Sequence, residues 1–497
     1  MKTTQEGMAM PSGKFRGVTT ANLPYSCFCN KALAQYANRR IGADLARRGF
    51  LADMAAAMLV TVVPEFALAQ GNASPPVSSP VTTFTNFRLF DGKSASLVDG
   101  MYLIVEGKRI SKLERGQPPA SSSARTVDCA GKVIMPGLID MHWHSLLAAV
   151  PIQTILQADM SFLFLAAGAE AQRTLLRGFT TVRDAGGPAF ALKQAIDTGL
   201  ISGPRIYPSG AMITTTGGHG DFRLLTDIPR TTGQISAVER TGGSAIADTA
   251  DEVRLRVREQ FMQGATQIKL VGCGGVSTPR SPLDMLTFTE PQLRAAVETA
   301  ADWGTYVLVH AYTPEAVQRS LAAGVQCIEH GHLIDDRTAE AMAKNGTWLS
   351  TQPFLTEEDV APLPPSGREK FMEVTAGTDN TYKLARKHGL KVAFGTDLIF
   401  SQALATRQGT MIGHLTRWYS GSQALRMATS TNGELLAMSG KRNPYPARLG
   451  VLEPGAWADL LVVDGDPLQN IALLADPDRN LKMIMKDGLI YKDAMQS

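Results

Sequence analysis

From Val81 to Val133, apolar and polar positions alternate in short β-like runs. Phe84-Thr85-Asn86-Phe87-Arg88-Leu89-Phe90 stops at Asp91-Gly92, and Met101-Tyr102-Leu103-Ile104-Val105 stops at Glu106-Gly107. The pattern returns near the other end, in Ala458–Val463 and in Leu481–Met485, which leads into Asp487-Gly488. Between these ends lie eight short apolar runs: Val133–Asp140, Phe179–Asp184, Arg205–Ala211, Gln267–Gly272, Thr305–His310, Gln326–His330, Thr347–Thr351 and Lys391–Asp397. Amphipathic helical patterns such as Glu290–Trp303 and Thr313–Ala323 separate several of them. Eight strand–helix alternations over about 300 residues predict an α/β fold, a (β/α)8 TIM barrel over residues 136–444. The outer strands predict a small β-sandwich domain assembled from both ends, residues 82–135 plus 445–497.

Polar residues gather where the barrel strands end. The first closes on Asp140-Met141-His142-Trp143-His144, and residues i and i+2 of a strand share a face, so both imidazoles can reach one ion. Lys269 sits inside the apolar fourth run, His310 ends the fifth, Glu329-His330-Gly331-His332 ends the sixth and Gly395-Thr396-Asp397 ends the eighth. Each has a bland reading alone: a structural His pair, a hydrogen-bonded Asp, a Lys whose stem snorkels at an edge. Together, at the strand ends that carry the active sites of this fold, they suit zinc or a similar ion.

Composition narrows the class. The 497 residues are 44% hydrophobic and 19% charged, with 46 Gly and 27 Pro, which excludes collagen, coiled coil and wholesale disorder. The net charge of +3 is carried by residues 1–69, with eight Lys or Arg against four Asp or Glu, so the body offers no electrostatic basis for nucleic-acid binding. Ala46-Arg47-Arg48-Gly49-Phe50-Leu51, the apolar stretch Met54–Val63 and Pro64-Glu65-Phe66-Ala67-Leu68-Ala69 resemble a twin-arginine export signal, with an amphipathic helix as the alternative. The apolar stretch is too short to span a bilayer, which takes about 20 residues. The expectation is a signal segment over 1–69, a Ser/Pro-rich linker over 70–81, and a periplasmic or secreted mature chain starting near Gln70, or a cytoplasmic one without a functional signal. Five cysteines make no disulfide framework; Cys27 and Cys29 form a weak CxC metal signal, and Cys129, Cys273 and Cys327 stand singly.

Pro136-Gly137-Leu138-Ile139-Asp140-Met141-His142-Trp143-His144, the Gly395-Thr396-Asp397 ending and the tail Leu449–Leu460 resemble the amidohydrolase superfamily. Gly217-Gly218-His219-Gly220-Asp221 and Ile268–Val276 are similar to its imidazolonepropionase-related, prolidase-like and ochratoxinase-like branch, and the likeness spans about residues 82–495. It implies two divalent metal ions, zinc by preference. His142 and His144 would hold the more buried one, His310 and His330 the second, and Asp397 would touch the first. Lys269 would be carboxylated by CO2 and its carbamate would bridge both, which needs an amine kept neutral by burial. The two cations would generate a shared hydroxide at neutral pH, Asp397 would carry its proton to the leaving nitrogen, and His219 would polarise the carbonyl or hold the oxyanion. A loop-capping role is the alternative for His219.

Two departures from the branch pattern matter, and the first bears on the pocket lining. Tyr312 stands where relatives often have a second His, and His332 competes with His330, which the motif favours. His388 precedes Gly389 at an expected helix end, and His414 stays open. The long Asp221–Ala250 insertion holds Arg223, Arg230 and Arg240, any of which could pair with a substrate carboxylate or simply be solvated. Trp143, Phe222 and Tyr312 hint at an apolar or aromatic substrate, with strand–helix packing as the alternative for Trp143. The sequence thus points to a hydrolase of amide bonds in dipeptides or N-acyl amino acids, including ochratoxin-like aromatic ones. A hydrolase of carbamates, ureas, esters or cyclic amides, and a non-catalytic binding protein on a dead barrel, are the competing readings. Small-molecule amides are the expected partners, with a homo-oligomer an open alternative.

Overall fold

The computed structural model describes residues 81–120, 124–229, 235–359 and 361–495. The expected signal segment with Cys27 and Cys29, the linker as far as Pro80, and Arg230 lie outside the described residues. Val81, expected to close the linker, opens the first strand.

Five strands come first: β1 (Val81–Leu89), β2 (Val98–Glu106), β3 (Arg109–Arg115), β4 (Arg125–Asp128) and β5 (Val133–Pro136). Ten follow: β6 (Leu138–Trp143), β7 (Phe179–Asp184), β8 (Arg205–Pro208), β9 (Met212–Thr214), β10 (Ser244–Ile246), β11 (Ile268–Val271), β12 (Val307–Ala311), β13 (Cys327–His330), β14 (Trp348–Thr351) and β15 (Lys391–Phe394). Three close the chain: β16 (Leu460–Val463), β17 (Leu481–Lys486) and β18 (Leu489–Asp493).

The first five and last three strands hydrogen-bond into one eight-stranded sheet, ordered β18-β17-β16-β5-β1-β2-β3 with β4 on β1. The ends of the chain meet where β16 runs antiparallel to β5, Leu460 opposite Pro136 and Val463 opposite Val133. Alternation gives this sheet two buried faces. Leu103, Val105, Ile134, Leu460, Val462, Met483 and Met485 form the domain's own core. Val133, Met135, Leu461, Val463 and Ile484 face the other way, into the barrel core.

The barrel strands are parallel and fall into two hydrogen-bonded groups, β6-β7-β8 and β10-β9-β11-β12-β13-β14-β15. One expected strand is split and another is shortened. The run Val133–Asp140 is two strands in two sheets: Pro136 has no N–H for a ladder, and at Gly137 the chain crosses from the β domain, where its N–H donates to Asp459, into the barrel. The run Arg205–Ala211 is a strand only to Pro208, and β9, which is not among the expected strands, begins just beyond it at Met212. The long insertion is not all loop: it supplies β10, which pairs in parallel with β9.

No ladder joins β15 to β6; a side chain does that work. The Asn432 amide donates to the carbonyls of Ile139 and Phe394, both at 2.8 Å, and its Oδ1 accepts from the Phe394 N–H at 3.0 Å. The helices expected at 290–303 and 313–323 form as Glu290–Asp302 and Pro314–Ala322. Thr313 caps the second, three residues past His310, so the chain passes from the pocket rim straight into a helix. His388 does end a helix, Pro365–His388, and pairs with Asp336 at 2.8 Å. Among the described residues, no helix is long and apolar enough to cross a membrane.

Candidate active site

The C-terminal ends of β6, β11, β12, β13 and β15 bring His142, His144, Lys269, His310, His330 and Asp397 to one pocket, which all six line. Two of these residues hold backbone conformations rare for side-chain-bearing residues: φ is +73° at His330 and +51° at Asp397. Asp397 is fixed by its N–H, which donates to the His142 carbonyl at 2.8 Å. Two residues earlier, Gly395 passes so close to β6 that a Cβ there would sit 2.6 Å from the Cβ of His142, so only glycine fits.

Each metal-candidate imidazole has one ring nitrogen tied to the protein. His142 Nδ1 donates to Glu329 Oε2 at 2.6 Å, His144 Nδ1 to the Gly186 carbonyl at 2.7 Å, His310 Nε2 to the Gly274 carbonyl at 2.9 Å, and His330 Nδ1 to Gln352 Oε1 at 2.7 Å. A carbonyl or carboxylate oxygen can only accept, so these contacts set the tautomers. The free nitrogens are Nε2 of His142, His144 and His330 and Nδ1 of His310. His142 Nε2 and His144 Nε2 face Asp397 Oδ1 at 3.6 and 3.4 Å. Donor atoms of His142, His330 and Asp397 lie within 4.8 Å of one another, and the His310 and His330 rings are 4.5 Å apart.

Burial and neighbouring charges keep most of these rings neutral. His142 is pushed down to about 4 by burial and by Lys269, and His310 and His330 are held well below the usual histidine range by burial and by neighbouring imidazoles. His144 is the exception: burial lowers it, but Asp397 outweighs burial and raises it. Burial raises Asp397, but His142, His144 and Lys269 outweigh that and hold it below the usual carboxylate range. Burial also lowers Lys269, and among the described residues its amine has no hydrogen-bond or ion-pair partner. A buried, unpartnered amine whose pKa burial lowers, in one pocket with a carboxylate and four imidazoles with free nitrogens, is a donor set that fits divalent metal.

His219 also lines the pocket, stacked on His310 at 4.6 Å; burial pushes it down to about 3, and its Nδ1 is buried without a partner. Gly275 makes room for it, since a Cβ there would lie 2.5 Å from the His219 ring. Tyr312 lines the pocket too, edge-on to His310 at 4.8 Å, and burial keeps its hydroxyl protonated. Phe222 is at the pocket wall.

Two expected substrate contacts are corrected. Trp143 is buried in the barrel core and away from the pocket lining, because the alternation that turns His142 and His144 inward turns Trp143 outward. Arg223 is committed to its own loop: its guanidinium bonds Asp221 at 2.6 and 2.8 Å and Thr216 at 3.2 Å, and it does not line the pocket. Arg240 binds the Ile235 carbonyl on the surface. His332 donates to the Gln352 carbonyl outside the lining, which leaves His330 as the pocket residue of the pair. His414 binds the Pro353 carbonyl at 3.0 Å, also outside the lining.

Supporting residues escaped the sequence reading. Arg183, fully buried, donates to the Met141 carbonyl at 2.7 Å, to the Tyr306 hydroxyl at 3.0 Å and to Ser350 at 3.1 Å, and pairs with Glu329, which holds His142. Burial raises Glu329, but Arg183 and His142 outweigh it and keep the carboxylate ionised. Asp140 accepts from the backbone N–H groups of His142 and Thr396, both at 3.0 Å, from the Thr396 hydroxyl at 2.6 Å and from Gln408 at 3.0 Å, tying β6 to the Asp397 loop. The available signal was a charge inside an apolar strand, at Arg183 and Glu329, since a buried charge requires a partner.

Comparison with known proteins agrees. The model of the amidohydrolase family matches residues 133–490. The ochratoxinase of Aspergillus niger is 27% identical over 391 residues, covering 72% of this chain and 76% of that protein. Among solved structures, a prolidase complexed with N-methylphosphonate-L-proline is 32% identical at a TM-score of 0.75, covering 83% of this chain and 100% of its own. A Xaa-Pro dipeptidase with methionine bound in its active site is 29% identical at a TM-score of 0.72, with the same coverage of 83% and 100%. Members of the matched family are generally metal-dependent, in keeping with the donor set at the strand ends. The chain belongs to the amidohydrolase family, on its ochratoxinase- and prolidase-like branch, and is a hydrolase of carbon–nitrogen bonds.

Proposed function

We propose that this chain is a binuclear metal-dependent amidohydrolase that cleaves amide bonds of dipeptides or N-acyl amino acids, aromatic amides of the ochratoxin kind among them. The observation that carries this reading is the set of free ring nitrogens left by the four imidazole contacts, in the one pocket that the unpartnered Lys269 also lines. His142, His144 and Asp397 would hold one ion, His310 and His330 the second, and Lys269, once carboxylated by CO2, would serve both; zinc suits the donor set. When bound, such a pair of ions polarises the substrate carbonyl and lets water act as a nucleophile at neutral pH.

The chain's own residues supply the rest. Asp397, ionised at neutral pH, takes a proton from the attacking water at Oδ1 and passes it to the leaving nitrogen. His219, neutral and lining the pocket, offers a ring N–H to the carbonyl oxygen as that atom gains charge. Tyr312 brings a protonated hydroxyl to the same pocket. The Gly395 contact and the Asp140 bonds hold Asp397 in its unusual backbone conformation, so the proton carrier is placed before substrate arrives. The names of the relatives, for ochratoxin and for proline dipeptides, support the substrate class. The twin-arginine-type leader would send the mature enzyme to the periplasm or beyond.

The test is a hydrolysis panel of N-acyl amino acids, dipeptides, carbamates, ureas and lactams on the metal-loaded protein. Release of free amino acid is expected. Turnover confined to carbamates, ureas or rings moves the substrate while keeping the site, and no turnover of any member returns the chain to a binding protein.

A further inference from the structure

We infer, on the basis of the amidohydrolase function proposed above, that the substrate carries an extended apolar group and that this group lies in a vestibule leading from the metal-candidate cluster to the mouth of the pocket. The vestibule is lined by Ile155, Leu156, Met160, Phe222, Val238 and Phe400. They come from four separate places: the helix Ile152–Gln157, the start of the helix Met160–Leu176, the long insertion, and the loop after β15.

Three observations point to an apolar occupant. First, the charged side chains among the described lining residues are Lys269 and Asp397, and both belong to the cluster at the floor. Arg223, next to Phe222 and well placed in sequence to meet a carboxylate, is bound by Asp221 and Thr216 instead. Second, the helix Ile152–Gln157 contains Ile152, Ile155 and Leu156 yet has no buried residue. Leu156 lines the pocket while 42% exposed. Ile152 and Ile155 pack only partly against the barrel core, and the apolar surface that the protein leaves open on this helix is covered when a ligand's apolar group fills the adjoining space. Third, Phe400 holds φ at +66°, pinned by its N–H to the Leu147 carbonyl at 2.9 Å, and so keeps a strained backbone where its ring meets the cavity. Strain of this kind persists at sites where it positions a contact.

Filling the vestibule has a measurable gradient. Removing one methylene from water is worth about 0.8 kcal/mol, a factor of about three to four in affinity or in kcat/KM. Two amide series test this on the metal-loaded enzyme. One lengthens the acyl chain from acetyl to octanoyl on a fixed amine, and the other enlarges an apolar amine on a fixed acetyl group. Affinities of the same amides are measured by calorimetry alongside turnover. The expected result is a rise of about threefold per methylene in at least one series, in kcat/KM and in affinity, with an increasingly negative heat-capacity change on binding. In the variant Leu156→Asp, kcat/KM for the octanoyl or largest-amine substrate is expected to fall about tenfold more than for the acetyl or smallest one. Phe222→Ala serves as a second variant should the first fold poorly. Turnover with no dependence on length in either series, or preference for charged over apolar groups, overturns the inference while leaving the amidohydrolase reading intact. Affinity that rises with length without hydrolysis of any amide does the reverse.

Discussion

At the floor of the pocket every candidate imidazole ligand is held by a named partner; at the mouth the wall residues are apolar. His142 is tied to Glu329, His144 to Gly186, His310 to Gly274 and His330 to Gln352, each through one ring nitrogen. Ile155, Leu156 and Met160 stand on a helix and a helix start that bury little of themselves. The floor is built on strand ends, which a barrel positions tightly, and the mouth on helices and an insertion that can vary without disturbing the strands. Chemistry and choice of substrate are therefore separable: changes at the floor should abolish turnover for every substrate, and changes at the mouth should re-rank substrates.

The largest effect should come from the floor. Asp397→Asn removes the proton carrier and is expected to lower kcat by about 10²- to 10⁴-fold with metal retained. Activity near wild type in that variant would remove Asp397 from the reaction. Next is the buried pair behind it. Glu329→Gln leaves the Arg183 charge without its partner, which in buried pairs costs about 3–5 kcal/mol, and frees His142 to turn, which should weaken metal binding by about 10- to 100-fold. Thermal unfolding and a chelator competition read the two separately; a variant as stable and as metal-avid as wild type would show that Glu329 positions nothing.

A third effect is acid sensitivity of the chelated protein. His142, His219, His310, His330 and His332 all have folded-state pKa values below that of an unfolded histidine, so the unfolded chain binds more protons at mildly acid pH. Their contribution to stability is present above about pH 6.5 and is lost as pH falls toward 4. Asp140 runs the other way: burial pushes it up to about 6, so the native state already holds one proton at pH 5. From these six groups, unfolding at pH 5 should take up about four protons, and Tm should drop steeply between pH 6.5 and 4. A flat Tm over that range would mean the rings are not buried neutral. The smallest effect belongs to the mouth. Arg223→Gln should change kcat/KM by about twofold or less on any substrate, because the guanidinium is spent on Asp221, and should lower stability by about 1 kcal/mol. A selective loss on carboxylate-bearing substrates would return Arg223 to the binding site.

The sequence made the floor readable because its signals are local. An HxH on a strand, a Lys in an apolar run and a Gly-Thr-Asp ending each declare themselves within a few residues, and strand alternation places them inward. The same alternation should have placed Trp143 outward, and its aromatic character outweighed that signal. What was hidden depends on partners far along the chain: Arg183 meets Glu329 across 146 positions, and Asn432 bridges β6 and β15 through Ile139, 293 positions away. The split at Pro136-Gly137 was hidden for another reason. The apolar run continues through it, and only hydrogen-bond topology shows the chain changing sheets. At the mouth, Arg223 looked available because nothing in its own character reveals that Asp221, two residues earlier, occupies it.

The most direct test of a two-ion centre at these strand ends is metal stoichiometry on purified protein, side by side with Lys269→Ala. About two ions per wild-type chain, falling to one or fewer in the variant, is the expected result. No bound metal in wild type after reconstitution, or two ions retained without Lys269, would contradict it.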